Sequence, residues 1–283
     1  MPRKRPPKKV LDRIAEDTEA TRYFSLKENP VLYARTLGIT PDDWQRDVLR
    51  SKSNRLILCC SRQSGKSTIT AILAVHHAIF NDNSMVVVIS RTWPQAKELF
   101  KRMSDFYKNS EYAPKSKTDS VHRLELANGS RILALSGAQP DSARGYSGVS
   151  LLILDEASHV VEETYDVVRP TLAVSGGKIV LLSTPHGRRG FFYDSWVEAT
   201  GPKRDNTEKW QPIQIRAHDV PRITEEFLAQ EREKYPRWFF EQEYENVFHS
   251  NVSNVFRDID PVFDGVGQED DEIWQFNINL AEG

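Results

Sequence analysis

Residues 60–67 read Cys-Ser-Arg-Gln-Ser-Gly-Lys-Ser, between the apolar run Leu56-Ile57-Leu58-Cys59 and a stretch of helical spacing over residues 68–80. Strand, tight loop, Gly-Lys-Ser and helix, in that order, make the construction that holds a nucleoside triphosphate. Backbone N–H groups and a helix N-terminus face the phosphates. Lys66 supplies a compact positive charge for the outer oxygens, and the Ser67 hydroxyl is placed for Mg²⁺. Gly65 lets the backbone come close and can take φ > 0. Ser61, Gln63, Ser64 and Thr68 complete the expected cradle. Two residues depart from the common pattern: Cys60 stands where its first glycine would be, and Arg62 stands inside the loop. A bare Gly-Lys-Ser is frequent by chance, so its context has to carry the reading.

That context is an alternation of short apolar runs with helical segments. Residues 55–60, 85–90, 151–155 and 178–183 are continuous apolar runs ending in small or acidic residues. Such runs are expected of parallel strands covered on both faces. Residues 124–135 carry Asn128-Gly129 between alternating segments, a hairpin signal. The expected core is therefore α/β and doubly wound, with a mostly parallel central sheet flanked by helices and an antiparallel hairpin addition. Ahead of it, residues 10–37 have helical spacing. Thr40-Pro41 predicts a capped helix over 41–50 that carries Trp44 and Gln45. Residues 224–248 read as helix interrupted at Pro236.

The 283 residues suffice for one large or two modest domains. No apolar stretch approaches the roughly 20 residues that cross a bilayer, and the basic, Pro-rich start is not a secretory signal. The two cysteines, Cys59 and Cys60, are adjacent, which excludes a disulfide framework and points to burial in a strand in a reducing compartment. A net charge of −2, from 38 basic and 40 acidic residues, excludes a strongly basic DNA-wrapping protein. Charge is unevenly spread, with Arg3, Lys4, Arg5, Lys8 and Lys9 in a basic tail at 1–9 and a run of acids at 269–272. Both read as solvated tails, with the first also able to contact phosphates.

The second chemical motif is Leu151-Leu152-Ile153-Leu154-Asp155-Glu156-Ala157. Acids at the C-terminal end of a buried strand face the crevice where α/β sheets bind ligands. Asp155 is the candidate for the Mg²⁺ shell. Glu156 is the candidate to orient and polarise the attacking water, which hydrolysis needs and binding does not. Arginines come next, because a finger on the γ-phosphoryl group is worth roughly 10³–10⁵ in rate. Arg62 is close by construction, and Arg144 lies on a Gly-rich turn that is either a surface loop or a finger. Ser183 and Thr184, ending the fourth run, are candidates to couple loss of the γ-phosphate to movement, against the plainer reading of a strand-ending turn. His186 beside them is a poorer base than Glu156, and no histidines have metal-ligand spacing.

Taken together the motifs resemble the ATPase part of the large terminase subunit of tailed bacteriophages, the motor that pumps DNA into a preformed capsid. The resemblance runs over residues 41–248. Residues 61–67 are similar to that family's deviant phosphate loop, Trp44-Gln45 to its adenine-reading motif, and residues 151–157 to its acid strand. Residues 183–187 with 190–193 are similar to its coupling motif and the segment after it, and residues 239–246 to the aromatic-acidic helix before its second domain. The resemblance implies a P-loop NTPase using ATP and Mg²⁺, with Gln45 on adenine, Arg62 acting in cis and Arg144 reaching a neighbouring subunit of a homo-oligomeric ring. It implies a core at 41–200, and a small helical lid built from the N-terminal helices at 10–40 and from 201–250. It also implies double-stranded DNA, a portal protein and a small terminase subunit as partners, in the host cytoplasm and transiently at the procapsid portal. Arg188-Arg189, the 97, 101 and 102 cations on one helix and the N-terminal arm are candidates for DNA contact. Only 35 residues follow Phe248, too few for the family's RNase H-like nuclease. Residues 251–283 are therefore expected to be linker or disordered tail, and DNA cutting is not expected. Two rival readings stand beside this one. A helicase-type nucleic-acid-dependent ATPase shares these motifs but normally needs two such cores. A non-enzymatic nucleotide-binding module has no use for Glu156 or Arg62.

Overall fold

Alternate residues of one strand serve two different cores. Leu56, Leu58 and Cys60 of β1 (Arg55–Cys60) pack on one side, while Ile57 packs on the other. The same split runs through β2 (Met85–Ser90), β6 (Leu151–Asp155) and β7 (Lys178–Ser183), so all four expected runs are strands buried on both faces. With β3 (Ser116–Asp119), β4 (Arg123–Leu126), β5 (Arg131–Ser136) and β8 (Gln211–Ile215) they form an eight-stranded sheet of order β3-β4-β5-β2-β6-β7-β1-β8. The structure is a computed structural model and describes residues 8–201 and 209–250. The basic tail expected at 1–9 lies outside them apart from Lys8 and Lys9, and the tail expected at 251–283 lies outside them entirely.

Six strands, β5-β2-β6-β7-β1-β8, are mutually parallel, and the β3–β4–β5 end is antiparallel. The Asn128-Gly129 hairpin joins β4 to β5, and β5 continues into the parallel sheet beside β2. It is thus both the hairpin addition and a core strand. β8, inside the segment expected to be lid, pairs with β1 instead. Its exposed Gln211 and Pro212 gave no apolar run, because an edge strand tolerates proline and polar residues.

One face carries α4 (Lys66–Phe80) and α5 (Trp93–Lys108), with α2 (Pro30–Thr36) and α3 (Asp43–Arg50) outside α4. The other carries α6 (Glu162–Val168) and α7 (Gly190–Thr200). The helical stretch expected at 10–37 breaks into α1 (Lys8–Glu28) and α2, because Asn29 accepts from the Leu32 N–H at 3.1 Å and Pro30 opens the next helix. α3 starts two residues later than Thr40-Pro41 suggested. Gln45 Oε1 accepts the Asp42 N–H at 3.0 Å, which moves the cap to Asp42. The N-terminal helices, expected to belong with the lid, pack against α4. Leu26, Val31, Tyr33 and Trp44 share its cluster, whereas Leu228 of α8 (Glu225–Lys234) and Phe240 and Tyr244 of α9 (Arg237–Glu245) form a separate one with Ala217. No helix among the described residues is long and apolar enough to cross a membrane.

Two histidines of α4 tie this arrangement to pH. His76 Nε2 lies 3.0 Å from the Leu26 carbonyl oxygen and His77 Nε2 lies 3.0 Å from Ser150 Oγ. Burial above all holds both down to about 4. Below about 6.5 the unfolded chain takes up protons that the folded chain refuses, so this contribution to stability is lost as pH falls from about 6.5 to 4. Urea unfolding at pH 7 and pH 5 is expected to show that loss, with an upper limit of about 1.4 kcal/mol per histidine and pH unit. The double substitution His76→Gln, His77→Gln is expected to flatten it.

Candidate active site

The C-terminal ends of β1, β6 and β7 open on one crevice, since these strands are parallel and adjacent in the order β6-β7-β1. The loop after β1 enters it through two left-handed residues, Gln63 at φ 58° and Gly65 at φ 96°, and α4 begins at Lys66. The φ of 96° at Gly65 favours glycine, and a Cβ there would also crowd the mobile ends of two side chains, Gln45 Nε2 at 2.9 Å and Arg222 Nη2 at 3.2 Å. Lys66 is buried, and its Nζ lies 3.4 Å from Glu156 Oε1. Burial works against its charge, but Glu156 first and Asp155 with it outweigh that and hold the amine protonated.

Asp155 closes β6 with its side chain buried, and its Oδ1 has no hydrogen-bond partner among the described residues. Burial first, and then Glu156, push its carboxyl up to about 7 against the pull of Lys66. Glu156 turns the chain at φ 52°, ψ 45°, a left-handed conformation costing a non-glycine residue about 1–2 kcal/mol. Ser67, Asp155, Glu156, Gln95, Glu98, Leu99 and Arg102 line a cavity of about 170 Å³. A hydroxyl and an orphaned carboxylate oxygen on one cavity fit Mg²⁺, which takes oxygen donors and fills its remaining positions from phosphates and water. No group of three or more His, Cys, Asp and Glu among the described residues could hold a metal ion.

The two hydroxyl residues ending β7 join the same network. Ser183 Oγ lies 3.4 Å from Glu156 Oε2 and 2.7 Å from Ser158 Oγ, and the Ser158 hydroxyl reaches the Thr184 carbonyl at 2.9 Å. Ser158 was not singled out in the sequence, because a serine after Asp-Glu-Ala carries no local signal.

Other candidates sit elsewhere. The Arg62 side chain is exposed; its backbone N–H donates to the Glu243 carbonyl at 2.8 Å, and it is not among the residues lining the cavity. Arg144 is exposed and paired with Asp141 at 2.9 Å, outside the cavity lining. The His186 ring lies against that of His159, tilted by 42° with centroids 4.1 Å apart. Burial foremost, with His186 and Arg91, holds His159 down to about 4. Arg102, grouped in the sequence with a DNA-facing surface, instead donates to Thr68 Oγ1 at 3.0 Å, lines the cavity and acts on Asp155. Helical spacing put it on α5 but could not say which end of the sheet that helix face meets. Asn246, left-handed at φ 59°, donates to the Cys59 and Ile215 carbonyls at 3.1 and 2.7 Å. An asparagine at a helix C-terminus is a recognisable cap, so its place was legible although its partners were not.

The raised carboxyl of Asp155 has a measurable consequence. A carboxyl titrating near 4 in the unfolded chain and near 7 in the folded one binds the extra proton when folded. Its contribution therefore falls as pH rises from about 4 to about 7. In EDTA, Asp155→Asn is expected to melt higher relative to the parent at pH 8 than at pH 5, with each kcal/mol reading as about 2–4 °C in a domain of this size. An equal offset at both pH values would contradict the assignment.

The sheet, the loop after β1 and the acids after β6 define a P-loop NTPase fold. A family model described as "Terminase large subunit, T4likevirus-type, N-terminal" matches residues 57–260, and the chain belongs to that family. The large terminase subunit of Escherichia phage T5 is 30% identical over 278 residues, covering 93% of this chain and 61% of that protein. That of Thermus phage G20c is 27% identical over 253 residues, covering 79% and 52%. The chain thus spans between half and two thirds of the length of these relatives. Among solved structures, the large terminase ATPase domain of Thermus phage P74-26 superposes with a TM-score of 0.67 at 24% identity, covering 76% of this chain and 96% of that one. The large terminase of a thermophilic bacteriophage in complex with ATP-gamma-S superposes at 0.58 with 12% identity, covering 74% and 53%. These likenesses bear on fold.

Proposed function

We propose that this chain hydrolyses ATP with Mg²⁺ and that hydrolysis drives double-stranded DNA into a viral procapsid. The observation that carries the reading is the meeting of the Lys66 amine, the Glu156 carboxylate and the orphaned Asp155 oxygen at one crevice. The thermophilic phage's large terminase in complex with ATP-gamma-S, on the same fold, supports ATP as the nucleotide. Ser67 and Asp155 would hold Mg²⁺, which when bound neutralises charge on the phosphates. Lys66 binds the outer phosphate oxygens, and its shift toward them releases Glu156 from their 3.4 Å contact. Glu156 is then free to orient the attacking water and accept its proton. The Ser183–Ser158–Thr184 chain carries any change at Glu156 into the backbone after β7.

Arg62 acts in cis once the lid formed by α8 and α9 moves its loop, and Arg144 acts in trans on the next subunit of a ring. Gln45 presents its Nε2 to adenine, its Oε1 being engaged by the Asp42 N–H. Lys97, Lys101, Arg188 and Arg189 are the candidate DNA contacts. Portal protein and a small terminase subunit are the expected partners, at the portal vertex of a procapsid in the host cytoplasm.

Lys66→Ala is expected to lose nucleotide binding, and Glu156→Gln to keep binding and lose turnover. Arg144→Ala is expected to bind ATP normally but to lose the activity that rises with protein concentration. Mixing Arg144→Ala with Glu156→Gln is expected to recover turnover, because each supplies the group the other lacks. Absence of recovery in mixtures that demonstrably co-assemble would remove Arg144 from the trans role. Strand displacement on a tailed duplex by the isolated chain would favour a helicase-type enzyme instead.

A further inference from the structure

Arg222 lies in the segment joining β8 to α8, between two residues packed into the body of the protein. Val220 is buried in the core under α4, and Ile223 packs both on that core and on the lid cluster. From there its guanidinium reaches two other elements. Nη1 donates to both carboxylate oxygens of Asp42, at 2.9 and 2.7 Å, and Nη2 donates to the Ser64 carbonyl at 2.9 Å. Asp42 caps α3, the helix of Gln45, and Ser64 belongs to the phosphate loop. Nη2 and Gln45 Nε2 both border the position a Gly65 Cβ would take, at 3.2 and 2.9 Å. One planar cation thus joins the Gln45 helix, the phosphate loop and the base of the lid.

The bond to Ser64 has a geometric consequence. In a planar trans peptide the carbonyl and the following N–H point in opposite directions. Holding the Ser64 oxygen toward Arg222 therefore aims the Gly65 N–H the other way, as a phosphate-cradling loop requires. Gly65 offers no side-chain bulk to resist a peptide flip, so an external bond has to fix this orientation. A guanidinium can serve a carboxylate and a carbonyl at once through its fork, whereas a lysine amine is a single point. The Arg222 side chain is 52% exposed and Asp42's 11%. A half-exposed ion pair contributes little to global stability, so its effect is on the loop.

We propose that Arg222 is a positioning residue that sets the phosphate loop for nucleotide and makes affinity depend on the seating of α8 and α9. The proposal rests on the ATP reading above and deepens it.

The test compares the parent with Arg222→Gln, Arg222→Lys, Asp42→Asn and the double variant Asp42→Asn, Arg222→Gln. Affinity is read with a fluorescent ATP analogue, and KM and kcat from steady-state ATPase rates. Arg222→Gln is expected to weaken Kd and raise KM about tenfold, with kcat within about threefold and melting temperature nearly unchanged. Asp42→Asn is expected to move in the same direction, the double variant to be no worse than Arg222→Gln, and Arg222→Lys to recover only part of the affinity. ATP is expected to protect α8 and α9 from limited proteolysis in the parent and not in Arg222→Gln. Parent-like Kd and KM in Arg222→Gln, a fall in kcat alone, or equal protection would overturn the proposal. If Arg222→Gln does not fold, Asp42→Asn and Arg222→Lys decide it by the same criteria. Failure of the parent itself to bind the analogue would overturn the ATP reading instead.

Discussion

A single buried ammonium group organises the centre of this molecule. Lys66 begins α4, yet its amine lies among Glu156, Asp155 and the Cys60 strand end. An isolated charge in such a place would give up its proton. The acids of β6 prevent that, and they can do so only because β6 and β1 flank β7 in one parallel sheet. The strand order is therefore a condition of the site's electrostatics. Reciprocally, Lys66 is what keeps two adjacent carboxylates tolerable at a buried strand end.

The balance is incomplete. Asp155 retains an oxygen with no hydrogen-bond partner among the described residues and a raised pKa, Glu156 takes a left-handed turn, and Gln63 does the same in the facing loop. Each is a local cost, and all three lie on the same crevice. Strained backbone and perturbed carboxyls gathered in this way are characteristic of functional sites. The rest of the fold, two well-packed cores on either side of the sheet, holds these strained residues in place.

The phosphate loop is also held from the lid side, by bonds to its backbone. The Ser61 N–H donates to the Ile215 carbonyl, the Arg62 N–H donates to the Glu243 carbonyl, Asn246 caps the Cys59 and Ile215 carbonyls, and Arg222 holds the Ser64 oxygen. The loop and the strand end before it thus answer to residues far along the chain. These bonds tie the loop backbone to β8 and to the segments that carry α8 and α9.

The sequence by itself determined the four buried strands, the loop that ends β1 and the acids that end β6, because double-sided burial demands unbroken apolar runs and a phosphate loop demands Gly-Lys-Ser at a helix start. It also determined the break at Pro236 and the hairpin at Asn128-Gly129, both local backbone constraints. It did not determine that β8 joins the sheet, since an edge strand needs no apolar run. Nor did it determine that α2 and α3 pack on α4, or that Arg102 lines the cavity while the exposed Arg62 does not. Arg222, Ser158 and Asn246 gained their partners only in three dimensions. Local patterns report what a residue's own backbone and burial require, whereas a hydrogen bond spanning 158 residues, such as Arg222 to Ser64, is specified by the packing of everything between.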